Sequence, residues 1–296
     1  MVARGSEQHG RAVSRHNRLQ RGAGLAGLAV VALVVLSGCS VDDAFHFGFP
    51  KGGVTDQSQK MFDLWIGSVI AALVVGVLVW GLIFWCIIRY RKRSDELPAQ
   101  TRYNLPLELL YTVLPFLIIA VLFYYTAITE SDVDKVSANP DVTVSVNAFK
   151  WNWEFEYPGH TDTAGNVVAT VGASDYIPVL VVPTNRTILF KEHSADVIHS
   201  FWVPELLFKR DVFPGNVVNQ FQVTIVKEGA YVGRCAELCG TYHSMMNFEL
   251  RAVSPDKFDA FLKARESGMS TPEALTSIGE QPFAVTTHPF DTSRSS

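Results

Sequence analysis

Between positions 235 and 246 the chain reads Cys-Ala-Glu-Leu-Cys-Gly-Thr-Tyr-His-Ser-Met-Met, which puts two thiols, an imidazole and two thioethers in one short stretch. Soft donors of this kind select copper(I), zinc or iron–sulfur clusters, and thiolate with imidazole and a weak thioether is the donor set of electron-transfer copper. A zinc ribbon needs a second Cys pair, and an iron–sulfur cluster usually needs four Cys. Of the 4 Cys in the chain, Cys39 and Cys86 lie far upstream and supply neither. Cys235 and Cys239 are four apart, and His243 and Met246 follow at four and three. A mononuclear site of this type has one Cys, two His and a distant Met. With a second Cys present, two coppers bridged by both sulfurs is the economical arrangement. The missing imidazole must come from elsewhere, and His199, in Asp196-Val-Ile-His199-Ser-Phe-Trp202, is the best candidate.

The rival reading is a disulfide between Cys235 and Cys239, because both would face an oxidising compartment. It leaves His243 and Met246 in register with no purpose, and the joint pattern favours the metal. His193 reads as a solvated strand residue, and Cys86 as packed or lipid-facing within an apolar helix.

The metal stretch has to be held by strands. Apolar alternation marks Val179–Val182, Thr187–Lys191, Val217–Val226, Tyr231–Arg234 and Phe248–Val253, with turn residues at Pro183-Thr-Asn185, Pro214-Gly215 and Glu228-Gly229 between them. From Asp141 to Tyr157 the apolar parity switches from Val142, Val144 and Val146 to Phe149, Trp151, Trp153, Phe155 and Tyr157. A single strand with a bulge at Asn147-Ala148 is expected to accommodate that switch. Several short strands without a long helix predict a Greek-key β-sandwich, with the metal stretch as a loop between two strands. Ser254-Pro255-Asp256 reads as N-cap, first helical residue and first turn of a short helix carrying Phe258, Phe261 and Leu262. Beyond Glu266 the Ser-, Thr- and Pro-rich tail is expected to carry little regular structure.

The rest of the chain is a membrane protein's. Its 296 residues are 48% hydrophobic and 18% charged. Leu64–Ile88 and Leu109–Thr129 are uncharged runs of about 25 and 21 residues, each enough to cross a hydrocarbon core of roughly 30 Å. Pro115 in the second run is tolerated because neighbouring helices or a kink re-satisfy the freed carbonyl. Arg89, Arg91, Lys92, Arg93 and Arg102 lie between the spans, and the positive-inside rule puts this loop in the cytoplasm and both ends outside. The N-terminal arginines before an apolar run of about 15 residues, Gly22–Leu36, suit an export signal over residues 1–38 rather than a span. That run ends in Leu-Ser-Gly-Cys39, which resembles a bacterial lipobox and predicts a lipid on Cys39. Residues 39–62 then form a short outer segment, 63–130 the hairpin, 131–253 the outer sandwich and 254–296 a short helix and tail. Beyond residue 129 there are 13 basic and 21 acidic residues, a surplus of negative charge that suits a basic partner. The chain shows no phosphate-binding glycine loop and no basic nucleic-acid patch.

Taken together, the hairpin, the aromatic run Trp-Asn-Trp-Glu-Phe-Glu-Tyr (151–157), the segment Ser-Ala-Asp-Val-Ile-His-Ser-Phe-Trp-Val-Pro (194–204) and the Cys235–Met246 loop resemble subunit II of the haem-copper cytochrome c oxidases, over roughly residues 55 to 253. The resemblance implies a cupredoxin-like sandwich with a dinuclear copper A site. It implies that Cys235 and Cys239 bridge the coppers, that His199 and His243 bind one each, and that Met246 and the Glu237 main-chain carbonyl complete the set. By the same resemblance the Glu237 carboxylate reaches a magnesium ion shared with subunit I, Trp151 receives the electrons, and Glu108 stands at a proton-pathway mouth. The implied activity is that of the respiratory oxidase in the bacterial plasma membrane. This chain takes electrons from cytochrome c on the outer face and passes them to haem in subunit I, where oxygen is reduced to water with proton translocation. Asn152 and Arg234 depart from the family, which often has Tyr and Gln there. No Cys-x-x-Cys-His occurs, so a fused c-type haem is not expected. A copper-free quinol oxidase subunit is the rival function, disfavoured by retention of both Cys, both His and Met246. Copper-delivery and nitrous-oxide-reductase-like proteins are disfavoured by the paired spans and Glu108.

Overall fold

The computed structural model describes residues 27, 46–49 and 53–289. Cys39 and, apart from Gly27, the export-signal run lie outside those residues. The described residues from 53 onward hold the helical hairpin and the sandwich.

Helix α1, Asp56–Arg89, starts at a capping box in which the Thr55 hydroxyl accepts from the Ser58 amide and the Ser58 hydroxyl accepts from the Thr55 amide. Helix α2, Leu105–Val133, starts at Asn104 with Pro106 in its first turn, and it continues through Pro115. At 34 and 29 residues these helices span about 51 and 44 Å, longer than the apolar runs inside them. Their apolar windows are not buried at all within the chain, so lipid or a partner must cover them. At the outer end Lys60 pairs with Asp132 across the two helices at 2.6 Å. The hairpin is tied to the outer domain there: Asp56 accepts from the Thr224 amide at 3.1 Å, the Gln57 amide group donates to the Gln222 carbonyl at 3.1 Å, and Val226 N donates to the Val54 carbonyl at 2.8 Å.

The outer domain is a sandwich of two five-stranded sheets. One has the order β3 (Val167–Val171), β2 (Asn152–Thr161), β1 (Val142–Phe149), β5 (Thr187–Ser194), β8 (Asn219–Thr224). The other has the order β4 (Val179–Pro183), β10 (Asn247–Val253), β9 (Gly229–Cys235), β6 (His199–Val203), β7 (Phe208–Val212). The pairs β1–β5 and β4–β10 are parallel, and the other neighbours are antiparallel. Between the sheets lie Trp153, Phe155, Phe190, Phe201, Phe221 and Phe248, all buried, with ring centroids 4.7 Å apart at the Phe201–Phe248 contact and 5.3 Å at Trp153–Phe248. Edge and offset contacts of this kind stabilise a core beyond its area burial.

Residues 141–157 correct the sequence reading. They form a hairpin, not one bulged strand: β1 and β2 pair with Phe149 opposite Asn152, leaving Lys150 and Trp151 as the turn. The parity switch follows from the reversal, since Val146 then faces Phe155 and Ala148 faces Trp153, all inward. Trp151 therefore stands at the sandwich end, outside the core stripe. Strands β3, β6 and β7 were not expected as separate elements.

The tail is a second correction. Helix α3, Pro255–Glu266, begins after Ser254 as read, although the serine side chain makes no capping bond, and it buries Phe258, Phe261 and Leu262 against Tyr157 and its surroundings. A further helix α4, Thr271–Ser277, then forms on a Ser270–Glu273 capping box and buries Ala274 and Leu275. Its composition resembled a flexible tail, but two buried apolar residues on a capped helix are enough to dock it.

Candidate metal centre

Strand β9 delivers Cys235 as its last residue, and β10 starts one residue after Met246. The Cys235 amide donates to the Met246 carbonyl at 3.1 Å and closes the neck of the loop between them. Strand β6 lies beside β9, with Phe201 opposite Cys235, and this brings His199, its first residue, under the loop. The Trp153 indole donates to the Met246 carbonyl at 3.2 Å and fixes the loop to the core from below.

Within this frame the donor atoms converge. Cys235 Sγ is 3.9 Å from Cys239 Sγ, 3.7 Å from His199 Nδ1 and 3.3 Å from the Glu237 carbonyl. Cys239 Sγ is 3.6 Å from His243 Nδ1 and 3.8 Å from Met246 Sδ. Both cysteines are free and buried, so the disulfide alternative is not formed. Donors held about 2.3 Å from a tetrahedral ion lie about 3.8 Å apart along each edge, and the observed spacings match that. Six donors are more than one tetrahedral ion accepts. Met246 is only 1% exposed, so its thioether has no solvent role to compete with binding.

The electrostatics fit a cation. Burial opposes ionisation of Cys235, but hydrogen bonds with His199 and with the main chain of Glu237 and Ser200 outweigh it and bring the thiol down to about 7. Burial and the neighbouring Cys235 push Cys239 up to about 12. Two thiols this close cannot both ionise cheaply without a positive ion between them, so binding a metal would release protons from the pair. His199 is buried, yet hydrogen bonds to Cys235 and Asp196 raise its pKa. Its Nε2 is 2.8 Å from Asp196 Oδ1, which orients the ring and leaves Nδ1 toward the sulfur.

Trp151 touches this centre from outside. Its indole N–H donates to the Cys239 carbonyl at 3.2 Å, and its ring meets Tyr242 edge-on at 4.9 Å. Gly240 takes φ +122° beneath it, where a Cβ would stand 3.2 Å from the indole, so only glycine fits without strain. The Glu237 side chain is exposed at the loop tip beside Leu238. Glu108 is at the other end of the molecule, in the first turn of α2, where its carboxylate accepts from the Asn104 amide at 3.0 Å. Sequence reasoning gave no role to Asp196, Gly240 or Tyr242. An Asp three residues before His199 and a Gly directly after Cys239 were the available signals.

Membrane helices carrying a cupredoxin-like sandwich whose one loop gathers thiolate, imidazole and thioether donors define a class of membrane-anchored soft-metal proteins. Residues 142–253 match the family described as cytochrome C oxidase subunit II, periplasmic domain, and residues 46–127 the one described as cytochrome C oxidase subunit II, transmembrane domain. The chain is 47% identical to a probable cytochrome c oxidase subunit 2 of Nocardia farcinica, over 95% of this chain and 90% of that one. It is 44% identical to cytochrome c oxidase subunit 2 of Mycobacterium tuberculosis, over 94% and 93%. Among solved structures, the periplasmic domain of cytochrome oxidase subunit II from Bradyrhizobium japonicum is 27% identical and matches over 46% of this chain and 100% of its own length, with a TM-score of 0.40. The chain belongs to the cytochrome c oxidase subunit II family. It is a subunit of that oxidase, a membrane protein with an extracellular domain.

Proposed function

We propose that this chain is the electron-accepting subunit of the oxidase, taking electrons from cytochrome c at a dinuclear copper A centre and handing them to haem in subunit I, where oxygen is reduced to water with proton translocation. The observation that carries this reading is the convergence of four further donors on two buried, unbonded cysteines. Cys235, Cys239, His199, His243, Met246 and the Glu237 main-chain carbonyl would together hold the two coppers. Two coppers held this way supply a one-electron store whose charge is spread over both ions. The protein's part is to hold the donors still: β6, β9 and the Trp153 bond fix their positions, and Asp196 fixes the His199 ring. Small rearrangement between redox states favours fast transfer at low driving force.

Trp151, hydrogen-bonded to the main chain of the ligand Cys239 and half-buried at the sandwich end, is where electrons would arrive. The acidic outer domain supports recruitment of a basic haem protein. The exposed Glu237 carboxylate is free to reach a magnesium ion shared with subunit I. Glu108, at the cytoplasmic end of α2, would stand at the mouth of a proton pathway, and its bond to the Asn104 amide also caps the helix. Residues 1–38 suit an export signal with lipid on Cys39, which the mass of the mature N-terminus tests. Trp151→Phe tests the functional reading. Stopped-flow mixing with reduced cytochrome c should show transfer slowed by orders of magnitude with the copper spectrum intact, and an unaltered rate would place electron arrival elsewhere.

A further inference from the structure

Strand β10 leaves the metal loop at Met246 and alternates, with Phe248, Leu250 and Ala252 toward the sandwich core. Glu249 and Arg251 are on the other face, which ought to meet water, yet they are 0% and 3% exposed. The tail covers them. Arg251 donates to the carbonyls of Gln281 and Phe283 at 3.1 and 3.2 Å, and Glu249 accepts from the amides of Val285 and Thr286 at 2.6 and 2.8 Å and from the Thr286 hydroxyl at 2.9 Å. The two side chains also pair with each other, Arg251 Nε to Glu249 Oε1 at 2.9 Å. Lys257 and Glu280 pair at the start of this run at 2.6 Å, and Phe283 rests edge-on against Tyr176.

The order of these bonds gives the tail a direction. Residues 281 and 283 sit on Arg251 and residues 285 and 286 on Glu249, so the tail runs back along β10 toward the metal loop. It arrives at a cleft of about 610 Å³ whose walls include Phe149, Trp151, Ile177, Tyr242, Met245 and, from the tail, Pro289. A buried charged pair is a costly way to hold a segment unless every bond is made, and its best-attested use is to fix register. Here a slip by one residue would break the carbonyl contacts of Arg251 and the amide contacts of Glu249 together.

We propose that Glu249 and Arg251 are positioning residues for electron delivery: they clamp residues 281–286 so that the tail forms a fixed wall of the Trp151 cleft, and this wall selects and orients the haem-protein donor. The inference rests on the reading of Trp151 as the site where electrons arrive. The clamp touches no copper ligand, so it acts on how the donor docks and not on the centre itself. A wall that serves the encounter complex moves KM for the protein donor, whereas one that serves the centre moves the copper spectrum and turnover with any donor.

The test is made on the assembled oxidase with three variants: a chain ended after Gly279, the double substitution Glu249→Leu with Arg251→Leu, and Pro289→Arg. The double substitution removes both charges at once and leaves neither unpaired in the interior. KM and kcat are measured with a soluble c-type cytochrome and, separately, with a small diffusible aromatic diamine as reductant. KM for the cytochrome should rise about tenfold in all three, with diamine-driven turnover and the copper spectrum as in the parent. Pro289→Arg keeps every clamp bond and decides the matter if the other two do not assemble: a raised KM supports the wall, an unchanged KM overturns it. Loss of the copper spectrum in both clamp variants would also overturn the proposal, because the clamp would then serve the metal loop. Trp151→Phe measured alongside separates the two readings: an unaltered rate there removes the arrival site, while a KM change in the clamp variants still reports on the tail.

Discussion

The hairpin and the sandwich satisfy the same hydrophobic requirement in opposite ways. In the sandwich, Trp153, Phe155, Phe201 and Phe248 are covered by one another. In the hairpin, Leu78, Trp80, Phe116 and Phe123 are 59%, 60%, 75% and 71% exposed within the chain. The difference teaches where precision comes from. A core covered by its own residues can hold donor atoms a few tenths of an ångström from where a metal wants them, because the interior is close-packed and does not yield. A surface covered by lipid and partner subunits anchors and orients, and needs only length, apolarity and satisfied backbone groups.

The largest expected effect breaks the precise region without disturbing its packing. Cys239→Ser nearly conserves volume but replaces a soft sulfur donor by a hard hydroxyl. The chain should then hold one copper or none and lose any spin signal shared over two nuclei, while its thermal transition without metal stays within a few degrees of the parent. Persistence of the shared signal would show that Cys239 does not bridge.

Next, a pair of substitutions separates the regions directly. Leu78→Lys places a charge in the middle of α1, at a cost of about 2.5–3.5 kcal/mol for insertion, and Phe155→Ala empties part of the aromatic core at about 3–5 kcal/mol. Membrane fractionation should show less inserted Leu78→Lys chain, and that fraction should melt with an unchanged outer domain. Phe155→Ala should insert normally and melt lower. If both variants fail in the same assay, the regions are not independent.

The smallest effect concerns a discordant buried carboxylate. Glu192 is 0% exposed on β5, and neither carboxylate oxygen makes a hydrogen bond. Burial drives its pKa well above the ordinary carboxylate range, with Arg210 pulling it back and Asp211 adding to the rise. The folded state therefore keeps the proton longer than the unfolded chain does. Stability on this account is full below the ordinary Glu range and declines as pH climbs from there toward the raised value. Glu192→Gln removes the penalty, so its melting temperature should exceed the parent's by a few degrees at pH 8 and by less at pH 5. Parallel pH profiles would show that Glu192 is not the titrating group.

Glu192 also shows what could be read from the sequence. The strand was expected over Thr187–Lys191, whereas it runs to Ser194 with the carboxylic acid buried. The metal loop was legible because its donors are local: four of the side chains lie within twelve residues, and only His199 had to be fetched across the sheet. The turn at Lys150–Trp151 was not. It has no Gly, Pro or Asn-Gly signal and is held by distant groups, the Asp196 carboxylate on the Lys150 amide at 2.7 Å and the Cys239 carbonyl on the Trp151 indole. The covered face of β10 was hidden for the same reason, since Glu249 and Arg251 alternate like solvated residues and only the returning tail buries them. Local chemistry is written in spacing, and contacts made across the fold are not.

The central claim is that the Cys235–Met246 loop and His199 hold two coppers as one electron store. The most direct measurement is metal content with electron paramagnetic resonance on the chain purified in detergent without its partner subunits and reconstituted with copper. The account predicts two coppers per chain and a mixed-valence signal in which one unpaired electron couples to both nuclei. A single copper with a one-nucleus signal, or no bound copper at saturating metal, would contradict it.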